Sequence, residues 1–157
     1  MKNLLIIVGL LLLLGIVFYF TQNALSGGSL SLPGFGKSTK AVIKDQTFSL
    51  TVAATEKEKE VGLSGKKSLA KNAGMLFPYT TKTTPTFWMR NMEFPIDILF
   101  ISDGKIVTLY KNVKPPISEQ NLQLYSPSTP VDNVIEINAG LSDQYGFKEG
   151  DPVTITL

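Results

Sequence analysis

Cysteine and histidine are both absent from this 157-residue sequence. Their absence excludes disulfide bonds, thiolate nucleophiles, zinc sites built from Cys and His, and every catalytic triad that uses imidazole as its base. Because an oxidising compartment permits disulfides without requiring them, the missing cysteines do not identify the compartment. Much of ordinary enzyme chemistry is therefore excluded, and the residue types favour a binding or structural role over catalysis.

The sequence also lacks a strong net charge and a cluster of metal ligands. The formal net charge is only +2, and no basic stripe interleaved with aromatic residues occurs, so we expect no nucleic-acid partner. The acidic residues of the carboxyl-terminal part are scattered, without the Asp-rich loop spacing of calcium sites. We therefore expect no metal and no cofactor; the acids in question are Asp132, Glu136, Asp143 and Asp151.

A long uncharged run is present at the amino terminus. Leu4 to Phe20 contains 17 residues without a charge, and a helix of that length spans roughly 26 Å, near the thickness of a bilayer's hydrocarbon core. Aromatic residues close the run, while Lys2 precedes it, and this charge distribution places the amino terminus in the cytoplasm. The pattern predicts one transmembrane helix followed by an extracytoplasmic domain, in a single-pass protein of the cell membrane.

Two other interpretations of this run are less favoured. Ala24-Leu25-Ser26 has the small-x-small form of a signal-peptide cleavage site, but the apolar run is longer than the usual 7 to 15 residues, which favours an uncleaved anchor. A buried core helix is disfavoured because the run is apolar on all faces. We divide the chain into a membrane anchor or uncleaved signal (1–20), a flexible Ser/Gly/Pro linker (21–39) and an extracytoplasmic β domain (40–157).

Strand patterns and turn signals dominate the predicted domain. Gln46 to Ala54 alternates apolar with polar or small residues, as a half-buried strand does. Thr55 and Glu58 form a capping box for a short helix that ends at Gly62. Asp103-Gly104 supplies the positive φ values of a tight hairpin between two strand-like runs.

The carboxyl-terminal third continues this pattern. Lys114 to Pro130 is a long proline-containing loop with a short strand predicted at Leu122 to Tyr125. A strand at Asn133 to Ile137 precedes a short helix at Ala139 to Tyr145, and a final strand closes the chain. Many short strands, close turns and two short helices predict a mainly β domain, a sandwich or a barrel.

The segment from Phe87 to Phe100 contains the only tryptophan, Trp88, and the only arginine, Arg90. If Phe87 to Asn91 is a strand, Trp88 and Arg90 share one face. Asp97 follows inside an apolar run, on the same strand face as two aliphatic residues, and a carboxyl group there must be neutralised, hydrogen-bonded or paired.

Two interpretations of this segment stay open. In the structural one, Asp97 pairs with Arg90 or accepts backbone N–H groups of the adjacent turn, and the arrangement fixes a register. In the functional one, the Trp88 ring is a stacking platform and Arg90, with Asn91, binds an anionic or polyhydroxyl ligand beside Asp97.

Catalysis has weaker support from the sequence. Asp97 and Glu136 are candidates for a two-carboxylate hydrolytic pair, but their separation cannot be read from the sequence. A hydrolase acting on envelope material through these two acids is therefore an alternative, and a structural domain that docks a membrane complex is another.

Six motifs occur in order: "GLSGKKSL", "GMLF", "FWMRN", "PIDILF", "VIEINAG" and "EGD". Together, over roughly Gln46 to Ile155, they resemble the uncharacterised family catalogued as domain of unknown function 192. The resemblance implies a compact, mostly β fold similar to a jelly-roll sandwich, often behind a signal or anchor segment, with no established activity. The family's pattern falls on Trp88, Met89, Arg90, Asn91, Pro95, Asp97, Glu136, Gly140, Gly150 and Asp151.

This sequence departs from that pattern at Met92, where a threonine is common, and at Lys66, where an arginine is common. The leading hypothesis is a membrane-anchored extracytoplasmic module. We expect it to bind a small or saccharide-like ligand, or an envelope partner, through a cluster of four residues: Trp88, Arg90, Asn91 and Asp97.

Overall fold

The computed structural model describes residues 37–156. The predicted membrane anchor at residues 1–20 and almost all of the predicted linker lie outside the described residues. Within residues 37–156, no helix has both the length and the hydrophobicity that a membrane crossing requires.

The described chain forms seven strands and two short helices. In chain order they are β1 (Ser38–Ile43), β2 (Gln46–Val52), α1 (Glu56–Val61), β3 (Ala73–Thr83), β4 (Ile96–Ser102), β5 (Lys105–Val113), β6 (Val131–Asn138), α2 (Leu141–Gln144) and β7 (Val153–Thr156). All seven strands belong to one sheet in the order β5-β4-β6-β3-β2-β1-β7. Neighbouring strands are antiparallel except β2 and β3, which are parallel.

The two outer strands of the sheet meet at one end. The Gly150 N–H donates to the Ile106 carbonyl at 2.8 Å, and the Val153 N–H donates to the Gly104 carbonyl at 2.8 Å. These bonds join the beginning of β5 to the chain just before and at the start of β7, so the sheet curls into a half-barrel. Pairing at this end covers backbone groups that a flat sheet would leave open at its edges.

The domain is mainly β with two short helices, as predicted. Of the two predicted architectures, the barrel is nearer to the curled sheet, and the jelly-roll sandwich is wrong. A jelly roll consists of two antiparallel sheets, whereas one curled sheet with a parallel pair is present here. The parallel pair arises because the segment containing α1 carries the chain from the end of β2 to the start of β3. The strand pattern predicted the positions of several strands, among them β2 and the hairpin of β4 and β5, but not which strands pair.

Local turn and cap signals agree with the structure. Asp103 and Gly104 have φ values of 52° and 69° in the tight turn between β4 and β5. The Thr55 hydroxyl accepts the Glu58 N–H, and the Glu58 carboxylate accepts the Thr55 N–H at 2.8 Å, which completes the capping box of α1. These signals are reliable because each depends on residues that are close in sequence.

The predicted strand at Phe87 to Asn91 is wrong. Only Phe87 pairs, in an isolated bridge with Tyr125, and the chain then enters a turn at Arg90 and Asn91. Asn91 adopts φ 55°, a left-handed conformation that asparagine tolerates better than most residues. The short strand predicted at Leu122 to Tyr125 likewise reduces to this one bridge.

Both faces of the central strands are buried. Along β4, Leu99 and Ile101 pack into one hydrophobic cluster, while Ile98 and Phe100 pack into a second cluster on the opposite face. The segments before β4 and before β6 cover the second face, with residues such as Phe87. A site built on the second face is therefore formed by strands below and by loops above.

Candidate functional site

Asp97 is a buried acceptor of backbone hydrogen bonds. Its side chain is 0% exposed. One carboxyl oxygen accepts the N–H groups of Asn112 at 2.8 Å and Gly140 at 3.2 Å, and the other accepts the Ser142 N–H at 2.8 Å. The carboxyl group therefore joins β4 to β5 and to the start of α2.

These partners explain an acidic residue within an apolar strand. The first N–H groups of a helix have no partner inside the helix, and Gly140, the N-cap of α2, has no side chain to supply one. Asp97 fills this role from a distant strand. The predicted pairing with Arg90 and the alternative of N–H groups from the adjacent turn are both wrong, because the N–H partners come from β5 and α2.

Arg90 lies over the ring of Trp88 instead. The guanidinium carbon is 5.3 Å from the centre of the indole ring, within the distance at which a cation is attracted to an aromatic face. Arg90 is exposed and Trp88 is partly buried. Trp88 and Arg90 are therefore in contact, although the predicted strand that would place them on one face is absent.

The turn that carries these residues is tied to its surroundings through its backbone. The Ser64 hydroxyl donates to the Arg90 carbonyl at 2.8 Å, and the Gly65 N–H donates to the Asn91 carbonyl at 2.9 Å. The Asn91 N–H donates to the Glu119 carboxylate at 3.2 Å. Contacts on both sides hold the turn in place, and Asn91 itself is exposed.

Glu136 lies in the middle of β6 with its side chain on the second face of the sheet. It is 5% exposed, and its Oε2 atom is buried without a hydrogen-bond partner among the described residues. None of the ion pairs in residues 37–156 includes Glu136. A buried polar atom without a partner is rare in folded proteins, and such atoms often mark a functional site or an unseen ligand.

Burial raises the pKa of Glu136 from its usual value near 4.5 to about 8, because the charged form loses its hydration. Lys59 does not pair with Glu136: its ammonium group bonds to Glu56 at 2.9 Å and lies 4.4 Å from the centre of the Tyr79 ring. Burial, together with the nearby acids Glu56 and Glu136, raises the pKa of Tyr79 to about 12. Because the pKa of Glu136 is about 8, this residue is largely a neutral acid at pH 7, and its carboxyl group both donates and accepts hydrogen bonds.

A small pocket surrounds this carboxyl group, and we call it the Glu136 pocket. Its volume is about 60 Å³, enough for a few water molecules or one small polar group. The turn residues Trp88 and Met92 form part of the lining, and exposed residues at its rim open it to solvent. The other lining residues are Lys59, Glu60, Val61, Gly62, Leu63, Ser64, Phe77, Thr86 and Phe87.

The structure brings together some predicted site residues and separates others. Trp88 and Glu136 line one pocket, and Arg90 and Asn91 belong to the turn beside it. Asp97 is apart from them, because it points to the opposite face of the sheet. The two-carboxylate hydrolytic pair is therefore wrong. Asp97 is paired with Ile137, and the next residue of β4, Ile98, is paired with Glu136. The two carboxyl groups therefore point to opposite faces of the sheet and cannot flank one ligand.

Most of the pocket lining was not predicted from the sequence. Lys59, Ser64 and Thr86 come from α1 and from loops, and no motif links them to β6. One signal was present, because Glu136 sits in the apolar run "VIEIN" just as Asp97 sits in "PIDILF". An acid within an apolar strand has to find partners or become neutral. Asp97 accepts hydrogen bonds from three backbone N–H groups, whereas burial favours the neutral form of Glu136.

The family model for DUF192, described as Uncharacterized ACR, COG1430, matches residues 39–155. The match covers nearly the whole described domain, and the chain belongs to this family of uncharacterised proteins. The comparison with curated proteins gave no match.

Two solved structures share the fold. A protein of unknown function from Novosphingobium aromaticivorans DSM 12444 is 28% identical, with a TM-score of 0.72 over 79% of this chain and 89% of the other. A protein described as a "putative transcription regulator" from Sinorhizobium meliloti 1021 is also 28% identical, with a TM-score of 0.70 over 80% of this chain and 98% of the other.

Proposed function

We propose that this protein is a ligand-binding module held at the outer face of the cell membrane, and that the Glu136 pocket receives part of its ligand. The membrane part of the proposal rests on the uncharged run from Leu4 to Phe20 and on Lys2 before it. The binding part rests on the geometry around Glu136.

One observation carries the binding proposal: Glu136 Oε2 is buried, has no hydrogen-bond partner among the described residues, and lies in a pocket that opens beside Trp88. Leaving such a group unsatisfied costs roughly 1–3 kcal/mol. A ligand group that hydrogen-bonds to the carboxyl would recover this free energy. The fold thus holds a polar group at the cost of stability, as binding sites often do.

The size and chemistry of the pocket indicate a ligand class. A volume of about 60 Å³ is far below the roughly 300–1,000 Å³ of sites that enclose a whole small molecule. One polar group enters, and the remainder of the ligand stays outside against Trp88. Because Glu136 is neutral near pH 7, the inserted group is a hydroxyl or a carbonyl, as in a sugar that carries an acetamido group.

The neighbouring residues have distinct roles in this proposal. The indole ring of Trp88 supplies an apolar face for the C–H groups of a sugar, and Arg90 offers exposed donors to hydroxyl or anionic groups. Asn91 shapes the turn through its left-handed backbone. Asp97 has no contact role with the ligand; it positions α2.

The sole tryptophan makes a direct test possible. Fluorescence of Trp88 is measured while N-acetylglucosamine is added to the purified full chain, with glucose as the matched probe that lacks the acetamido group. We expect a saturable change with N-acetylglucosamine that is at least severalfold stronger than with glucose.

Variants of Glu136 make the test specific. Glu136→Gln keeps a hydrogen-bond donor of the same size and retains binding, whereas Glu136→Leu abolishes it. The proposal is overturned if neither probe changes the fluorescence, or if the leucine variant responds as strongly as the wild-type chain.

A further inference from the structure

A second and larger concavity lies beside the same turn. Its volume is about 740 Å³, within the range of roughly 300–1,000 Å³ for established ligand sites. It is formed by the second half of β5, the loop at residues 114–124, and Tyr125, and we call it the β5 groove. Met89 lines the β5 groove, whereas Trp88 and Met92 line the Glu136 pocket.

The buried lining residues of the β5 groove are apolar. Met89, Val113 and Tyr125 are 3%, 5% and 8% exposed, and Pro115 and Pro116 add rigid apolar surface. Methionine is flexible and polarisable, and it adapts to partners of different shape. The lining therefore suits apolar side chains of a bound molecule.

Three polar side chains in the lining are free to bind. Within residues 37–156, the side chains of Lys114, Asn121 and Gln123 have no hydrogen-bond or ion-pair partner, and all three line the groove. An amide side chain offers both a donor and an acceptor, which matches the alternating N–H and C=O groups of an extended peptide backbone.

The charges in the groove are of one sign. No carboxylate is among its lining residues. The only acid of the 114–124 loop, Glu119, accepts the Asn91 N–H instead. Lys111 also lines the groove but pairs with Asp143 at 2.7 Å. Of the two lysines in the lining, Lys114 is therefore the one without an ion-pair partner among the described residues.

We propose that the β5 groove binds an extended peptide segment that carries apolar side chains and at least one carboxylate. The apolar side chains pack on Met89, the amides of Asn121 and Gln123 bond to the peptide backbone, and Lys114 pairs with the carboxylate. A sugar fits less well, because sugars stack on open aromatic faces. The rings of Tyr110 and Tyr125 instead pack edge to face, 5.2 Å apart.

Fluorescence anisotropy with two labelled peptides tests this proposal on the purified full chain. The first probe is a fluorescein-labelled hexapeptide of alternating leucine and glutamate, and the second replaces each glutamate by lysine. We expect saturable binding of the acidic peptide and binding of the basic peptide that is at least about tenfold weaker.

Charge-matched variants locate the site. Lys114→Glu weakens binding of the acidic peptide by about tenfold, whereas Lys67→Glu, an exposed position outside the groove, makes the same charge change and has a much smaller effect. Gln123→Ala weakens binding, while Gln120→Ala, in the same loop but outside the lining, does not.

Three results would overturn the proposal: equal affinity for the two peptides, equal effects of Lys114→Glu and Lys67→Glu, or no binding of either peptide. In the last case chitotriose is added as the alternative occupant. Binding of chitotriose that Gln123→Ala removes would assign the groove to a saccharide instead. Glu136 is not among the lining residues of the β5 groove, so separate variants test the two proposals, and the failure of one is distinguishable from the failure of the other.

Discussion

Glu136 and Asp97 lie on adjacent strands of one sheet with their carboxyl groups on opposite faces. The strand register sets this relationship, because Asp97 pairs with Ile137 and Ile98 pairs with Glu136. Asp97 accepts three backbone N–H groups, whereas Glu136 Oε2 accepts none. Two acids with similar sequence surroundings thus have different environments: the first bonds three elements of the fold together, and the second is a buried carboxyl group with an oxygen that has no hydrogen-bond partner among the described residues.

Substitution of Asp97 tests its structural role. In Asp97→Asn the new amide presents one acceptor oxygen and an NH₂ group to three N–H donors, so at least one buried donor loses its partner. We expect the free energy of unfolding to fall by about 3 kcal/mol, measured by urea denaturation of the full chain.

Arg90→Lys is the matched comparison for this substitution. Arg90 is exposed and contacts Trp88 through its guanidinium group, so the change costs at most about 1 kcal/mol. A cost for Asp97→Asn below that of Arg90→Lys would contradict the structural role of Asp97.

The pKa of Glu136 predicts a pH dependence of stability. The folded state retains the Glu136 proton up to about pH 8, whereas the unfolded state loses it near pH 4.5. Between these values the unfolded state binds fewer protons, so the free energy of unfolding falls as the pH rises, by up to about 5 kcal/mol. The cost is absent below pH 4.5 and complete above pH 8.

Glu136→Gln removes this titration without changing the size of the side chain. The difference in unfolding free energy between Glu136→Gln and wild type should therefore increase in favour of the variant from pH 5 to pH 8. Urea denaturation across this range measures it. A difference that stays constant with pH would show that Glu136 titrates normally in the folded state.

Thr55→Ala tests the capping box at the start of α1, which lines the Glu136 pocket. The substitution removes the acceptor of the Glu58 N–H and should cost about 1 kcal/mol. Lys57→Ala, at an exposed position of the same helix, should change the free energy of unfolding by less than about 0.5 kcal/mol. Equal effects would mean that the cap does not contribute to stability.

Features that depend on neighbouring residues could be predicted from the sequence. The capping box of Thr55 and Glu58 and the Asp103-Gly104 turn are examples, since their geometry is decided within a few residues. The two faces of β4 also followed from simple alternation, which placed Asp97 with Leu99 and Ile101.

Features that depend on distant contacts could not be predicted. Asp97 finds its partners 15, 43 and 45 residues along the chain, so the sequence suggested Arg90 simply because it is near. The parallel pairing of β2 with β3 and the loop that covers Glu136 are tertiary as well. The strand predicted from Phe87 is wrong. Phe87 and Met89 are both buried, an alternation typical of a strand, but the backbone turns at Asn91.

We expect Glu136, which lines a pocket together with Trp88, to be a neutral acid at physiological pH. Trp88 is the only tryptophan, and the pKa of Tyr79 is raised to about 12. Because the α-amino group also titrates near pH 8, the difference in Trp88 fluorescence between wild type and Glu136→Gln is the signal that reports on Glu136 between about pH 6.5 and 9. In a fluorescence titration, this difference should show a transition with a midpoint of about 8. A wild-type titration without this transition, or the same transition in Glu136→Gln, would contradict this expectation.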